Sequence, residues 1–361
     1  VGRLRKHELA ALPNGTVVYL ATYIQYITEV LMSSLSVRKT LWIFVAAVVI
    51  PAVVRADDPV TRAAHLLNER KFGEAKSLLI SFVEKNSTHA AAAYYLGRLW
   101  LEEGNYEQAI DWFEKAVELD KTSSEYHVWL GRAYGRAARE ASIFRKPSLA
   151  RKTKAAFEQA VHLDPANVDA RLALMEFYRQ APGIAGGSIQ KAIEQAELVK
   201  RLDPYRGQLA LGQIHEGEKQ YSEAKRAYSE ALRQFPDSSA AYFRLASLYT
   251  LVAQYDSAFE ILNRILKRQP GSLLVHYHIG KVGAVSGQRL EQAEQSLKIF
   301  LRNQPPMENS WQAAAHWRLG MVYEKQGKLE DAGAEYQQAL KLKPDHEEAK
   351  SALTKLRKRS G

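Results

Sequence analysis

The sequence contains no cysteine in 361 residues. That closes disulfide chemistry, thiolate metal ligation and cysteine nucleophiles. It also excludes a lipid-modified amino terminus, whose attachment needs a cysteine at the processing point. A chain without thiols suits an oxidising compartment. His-Glu-x-x-His, Gly-x-Ser-x-Gly and Gly-Lys-Ser/Thr sequences are all missing, which removes the zinc-protease, serine-hydrolase and phosphate-loop signatures. Strand patterns are absent too. One long apolar run exists, the 14 residues from Leu41 to Val54, and it is shorter than the about 20 apolar residues a membrane span needs. Of the net charge of +10, residues 1–56 hold six basic against two acidic residues, leaving a modest +6 for the rest. No nucleic-acid partner is expected.

What is present is a pattern that returns every 34 positions. Gly97 and Gly131 stand 34 apart, as do Ala75 and Ala109, Ala224 and Ala258, and Pro236 and Pro270, while Gly212, Ala246 and Gly280 form a ladder at that step. A fixed period in this range means stacked supersecondary units rather than one closed core. Within one unit, Ala93, Leu96, Gly97 and Trp100 share a helical face, and Ala109, Phe113 and Ala116 repeat the spacing after the break at Glu103-Gly104-Asn105. Small residues on facing stripes let two antiparallel helices approach, and large neighbours fill the gaps beside them. The arrangement returns as Leu211, Gly212, Ala224, Tyr228, Ala231 and Pro236, and again as Leu319, Gly320, Tyr323, Ala332, Tyr336, Ala339 and Pro344.

These residues resemble the tetratricopeptide repeat family, whose helix-turn-helix unit carries a Leu-Gly pair and an aromatic in its first helix, an Ala and an aromatic in its second, and a closing Pro. The closing prolines here are Pro165, Pro204, Pro236, Pro270, Pro305 and Pro344. The expected fold is all-α, a right-handed α-solenoid of about eight repeats over 57–344. The units start near 57, 90, 124, 167, 205, 239, 273 and 313. The third is stretched by about ten residues around Arg139 to Leu149, the fourth by the loop from Ala181 to Gly187, and Met307 to Gln312 reads as a short insertion before the last. Residues 345–361, with a charged helix from His346 to Lys358, form the polar cap and basic tail that an open stack requires.

Residues 32–56 read as a secretory signal: Arg38 and Lys39, the apolar run, then Val54-Arg55-Ala56 with small residues where a signal peptidase requires them. Cleavage is expected between Ala56 and Asp57, giving a periplasmic or secreted protein; an uncleaved inner-membrane anchor is the alternative. On this reading Met32 is the initiator and residues 1–31, which open on Val1, are an upstream extension produced by start-site choice.

The family resemblance implies that first helices line an inner, concave surface where partners bind as peptides or helices. Projection places Tyr94 and Arg98, Val128, Arg132 and Arg136, Arg171, Met175 and Tyr178, Phe243, Tyr277 and Lys281, and Trp317 and Met321 there. Aromatics interleaved with Arg suit a partner with acidic and apolar groups. Tyr94 and Arg98 stand where some family members place the Lys and Asn that hold a peptide's terminal carboxylate, so that specificity does not carry over. A second candidate is the glycine-rich turn at Gly183, Gly186, Gly187 and Ser188, which precedes a helix and suits a small anion. His127, His215 and His316 occupy packing positions, His276 and His278 point in different directions, and Glu102 and Glu103 sit at a solvated helix end. No metal, cofactor or catalytic residue is expected. The function read from the sequence is a non-catalytic scaffold of the bacterial envelope. The alternatives are an accessory subunit holding a small anionic ligand and a membrane-anchored assembly factor.

Overall fold

The structure is a computed structural model that describes residues 58–303 and 309–360. The signal segment, its cleavage point, the upstream extension and Pro305 lie outside the described residues. Those described form seventeen α-helices and one 3₁₀ turn, with no strand among them. The chain divides between Lys121 and Thr122 into two compact units.

The first unit holds two helix pairs, α1 (Pro59–Asn68) with α2 (Phe72–Lys85) and α3 (Ala90–Glu102) with α4 (Tyr106–Leu119). Side-chain caps mark the starts of α1, α3 and α4. Asp58 accepts a hydrogen bond from the Thr61 N–H at 3.0 Å with Pro59 in the first turn, and Asn105 caps α4 through the Gln108 N–H. Val60, Ala63 and Leu67 of α1 meet Ala75, Leu79 and Val83 of α2 and Ala92, Leu96 and Leu99 of α3 in one core, the spacing of an apolar stripe on each helix. A Cβ on Gly97 would sit 2.7 Å from Phe113 Cδ1, so the small residue of the repeat is a requirement of the helix–helix distance.

The second unit holds six pairs and a closing helix. The pairs are α5 (Ser124–Glu140) with α6 (Lys146–Leu163), α7 (Val168–Gln180) with α8 (Ile189–Leu202), α9 (Pro204–Gly217) with α10 (Tyr221–Gln234), α11 (Ser239–Leu251) with α12 (Tyr255–Arg268), α13 (Leu273–Ser286) with α14 (Leu290–Arg302), and α15 (Asn309–Lys325) with α16 (Leu329–Leu342). Residues 309–312 thus form the first turn of α15. Helix α17 (Glu347–Ser360) follows, burying Ala349, Leu353 and Leu356. First helices touch first helices, α5 with α7, α11 with α13 and α13 with α15, while each second helix packs between its own first helix and the next. The first helices therefore form one layer.

The turn inside each regular pair uses a residue in the left-handed region, seven positions after the small residue: Arg70, Gly104, Lys219, Ala253, Gly287 and Gly327, with φ between 58° and 79°. The two stretched pairs leave by extended backbone instead, at Ala141 (ψ 153°) and Ala181 (ψ 142°). In the third pair, α5 and α6 each run one turn beyond the matching helices α3 and α4, and only Ala141–Arg145 links them. The ten extra residues are thus mostly helix.

Candidate partner-binding site

The first-helix layer of the second unit gathers its most unusual side chains where α11, α13 and α15 lie side by side. Phe243 of α11 stacks on His278 of α13, ring centroids 4.6 Å apart and planes within 17°. Tyr277 packs edge-on against Trp311 at 5.0 Å, and the Arg318 guanidinium lies 5.3 Å from the Tyr277 ring and 4.8 Å from that of Trp317. Such stacking holds a guanidinium in place without neutralising it.

Three basic side chains meet here. Burial, then Lys281 and Arg318, push the His278 imidazole down to about 4. Burial, then Arg318, lowers the Lys281 ammonium, and burial also lowers Arg318, against weaker support from Tyr277 and Glu348. Arg318 donates from Nη1 to the Ala314 carbonyl at 3.3 Å, while its buried Nε has no acceptor among the described residues. A buried guanidinium donor without an acceptor costs free energy that a bound carboxylate would recover. Tyr277, Trp317 and Arg318 line an open cleft of about 490 Å³ whose far side carries Lys343, Asp345, His346, Glu347 and Glu348.

The expected inner-face residues divide in two. Arg171 is a correction. It is only 9% exposed, and it donates to the Pro165 carbonyl at 2.6 Å and to Gln195 Oε1 at 3.0 Å. His276 occupies the same offset from its own closing proline, donating to the Pro270 carbonyl and accepting from Ser296 Oγ, so this position ties the connection to its own pair. Tyr94, Tyr178 and Tyr277 are buried as well. The Tyr178 hydroxyl donates to Glu158 at 2.9 Å and is pushed up to about 12, first by burial. Arg98, Arg132, Lys281 and Trp317 are half-buried and Arg136 is exposed. In the first unit, Arg98 lies beside Tyr94 and Tyr95; in the second, Arg132 covers Trp129 at 4.7 Å.

Besides Trp311, two residues of the cluster, His278 and Arg318, were not among the expected contacts. Both stand two places before a glycine of the ladder, and Arg244 stands at the same offset before Ala246; that shared offset was the available signal.

The glycine-rich turn folds on itself. Gly183–Ala185 is a 3₁₀ turn, Gly186 is left-handed at φ 94°, and a Cβ on Gly187 would fall 1.7 Å from the Ala181 carbonyl oxygen. The N–H groups of Ala185 and Gly187 donate to the Pro182 carbonyl, that of Gly186 to the Gly183 carbonyl and that of Ser188 to the Tyr178 carbonyl of α7, and Ser188 Oγ caps α8. Those four backbone donors are spent within the fold and do not face a ligand. Glu103 is exposed at the end of α3, where it pairs with Lys76 at 2.7 Å, and Lys76 lies over Trp100. Among the described residues no group of three or more His, Asp or Glu side chains is arranged to hold a metal ion.

Eight helix pairs built around small-residue contacts, with a closing proline after each of the last six and a polar final helix, define a helix-turn-helix repeat stack. Models of the tetratricopeptide repeat match residues 60–125, 216–277 and 313–346. The chain is a tetratricopeptide repeat protein. Among solved structures it is similar to a tetratricopeptide repeat protein from Parabacteroides merdae, at 15% identity and a TM-score of 0.50 over 77% of this chain and 98% of that one. It is also similar to TTC0263, a thermophilic protein of the same repeat type from Thermus thermophilus, at 20% identity and a TM-score of 0.45 over 53% and 97% of the two chains. YrrB, a tetratricopeptide repeat protein with an unusual peptide-binding site, aligns at 18% identity and a TM-score of 0.38 over 55% and 97%. The likeness to the Parabacteroides protein extends to the fold alone. No curated protein matches the chain.

Proposed function

We propose that this protein is a non-catalytic scaffold of the bacterial envelope, exported by the signal at 32–56, that captures an acidic and partly apolar peptide or helix on the first-helix layer of its second unit. One observation carries the reading. Lys281 and Arg318 form no ion pair among the described residues, Arg318 lowers the Lys281 ammonium beyond what burial does, and burial lowers Arg318. Like charges held together in a half-buried setting are costly. A partner carboxylate would offset that cost by pairing with Arg318 and Lys281, while Phe243 and Trp317 take apolar side chains, the arrangement of a charged anchor among aromatics. Arg98 and Tyr95 offer a similar pairing in the first unit.

The test is photocrosslinking in cells from a reactive residue at position 317, in the wild-type background and with Lys281→Gln and Arg318→Gln together. Capture that maps to an acidic segment of the partner and disappears in the double variant, with melting unchanged, supports the reading. Equal capture by both, or crosslinks confined to neutral segments, rejects it. Amino-terminal sequencing of the mature protein checks export: a first residue near Asp57 is expected, and one near Val1 overturns it.

A further inference from the structure

The three most exposed large apolar side chains of the described residues all sit on the two stretched turns. Phe144 is 90% exposed, Ile143 75%, and Ile184 fully exposed. Ile143 and Phe144 occupy the tip of the α5–α6 hairpin. Gly131 faces Phe157 and Gly135 faces Thr153, an antiparallel register that closes on this turn. Because each helix is one turn longer than its regular counterpart, the tip projects about 6 Å beyond an ordinary turn. The 3₁₀ turn of the next pair packs on α6, with Gly186 beside Lys154.

Around that tip lies a concentrated positive charge. Residues 132–154 contain eight Lys and Arg against one Glu, in a chain whose whole net charge is +10. Arg136, Arg139, Arg145, Lys146, Arg151 and Lys152 are all exposed, and the register sets Arg136 opposite Lys152. Two apolar side chains on a narrow projection, ringed by cations, do not make a protein-docking surface, which needs about 800 Å² per partner and complementary shape. Nor is an exposed Ile a nucleic-acid contact, since bases are gripped by stacking and hydrogen bonding. A bilayer fits: lipid flows around a tip, its acyl boundary takes Ile and Phe, and anionic headgroups meet the ring of Lys and Arg.

We propose that the α5–α6 hairpin is a docking device for an anionic membrane surface, with Ile143 and Phe144 entering the acyl boundary and Arg139, Lys146 and Arg151 meeting the headgroups. It is independent of the amino-terminal apolar segment and of the peptide site on α11, α13 and α15.

The test exploits the absence of cysteine. In the full chain, Phe144→Cys gives a unique attachment point for an environment-sensitive fluorophore, with Glu223→Cys on α10 as control. Phosphatidylcholine vesicles containing phosphatidylglycerol should shift the emission of the label at 144 to the blue, pure phosphatidylcholine vesicles should not, and added salt should reverse the shift by screening. Adding Arg139→Gln, Lys146→Gln and Arg151→Gln should weaken the response to anionic vesicles at least about tenfold. An unmoved spectrum at 144, an equal shift at 223, or a response indifferent to lipid charge would overturn the proposal. Because the label reports on the tip itself, attachment through residues 41–54 cannot imitate the result.

Discussion

At Ala253 a side chain with a Cβ holds φ 58° in the turn between α11 and α12. The left-handed region costs a non-glycine residue about 1–2 kcal/mol, partly offset by the extra freedom glycine has when unfolded. Ala253 is exposed and has no packing to lose. Ala253→Gly should therefore raise unfolding free energy by about 0.5–1 kcal/mol, read from urea melts. The opposite holds at Gly212, where a Cβ would fall 2.2 Å from Tyr228 Cε1. Tyr228 cannot swing aside, since its hydroxyl donates to Glu216 at 2.7 Å. Gly212→Val should destabilise by about 1–3 kcal/mol through overpacking, and unchanged melting would overturn this account of the contact. The small-residue ladder was legible in the sequence because no larger residue fits those contacts. The left-handed turns were not, since Arg70, Lys219 and Ala253 fill the place that Gly104, Gly287 and Gly327 fill elsewhere and carry no turn signature of their own.

Among the elements, α13 carries the most conflicting demands. Its His278 lies under Phe243 and beside Lys281 and Arg318, and its imidazole is pushed down to about 4 from an ordinary 6.5. The unfolded chain thus binds a proton there that the folded chain refuses. Stability from this group is complete above pH about 6.5 and is lost as pH falls toward 4. His278→Gln should flatten that part of the pH–stability curve, removing on the order of 2 kcal/mol of acid sensitivity. Carboxylates such as Glu294, held down to about 2 by Lys298, Gln326 and Lys328 against the opposing effect of burial, act mainly below that window, so the two effects separate by pH. An unchanged slope between pH 4 and 6.5 would show that His278 is not held neutral.

The same helix explains why the existence of the pairs was legible while the inner face was only partly so. A first helix is covered by its own second helix, by the second helix before it and by neighbouring first helices, which leaves a narrow open strip. One residue, about 100° of turn, separates buried Tyr277 from half-buried His278. Helical projection does not resolve that difference. The partners that claim Arg171, the Pro165 carbonyl and Gln195, belong to the preceding connection and to α8, so their proximity depends on how the pair closes.

For the whole molecule, the consequence of a repeat stack is that damage stays near where it is made. In the second unit the substantial helix–helix contacts join helices one or two places apart along the chain, so stability is close to a sum of pair and neighbour contributions. The end of the chain is the sharpest place to test this. There, Leu319, Tyr323, Ala332, Tyr336, Leu353 and Leu356 of α15, α16 and α17 share one core with Tyr277, Leu297 and Phe300 of α13 and α14, while α7 and α8 contribute to a separate core around Leu174, Met175 and Ala192. A Cβ on Gly320 would sit 2.5 Å from Tyr336 Cε1, and Tyr336 is tied through its hydroxyl to Glu324. Gly320→Val should raise amide hydrogen exchange across α15, α16 and α17 by about tenfold or more, the effect of a 1–3 kcal/mol overpacking penalty on local opening, and leave α7 and α8 within about twofold of wild type. A single cooperative core would instead spread the acceleration evenly from α5 to α17, and that outcome would refute the neighbour-only account of stability.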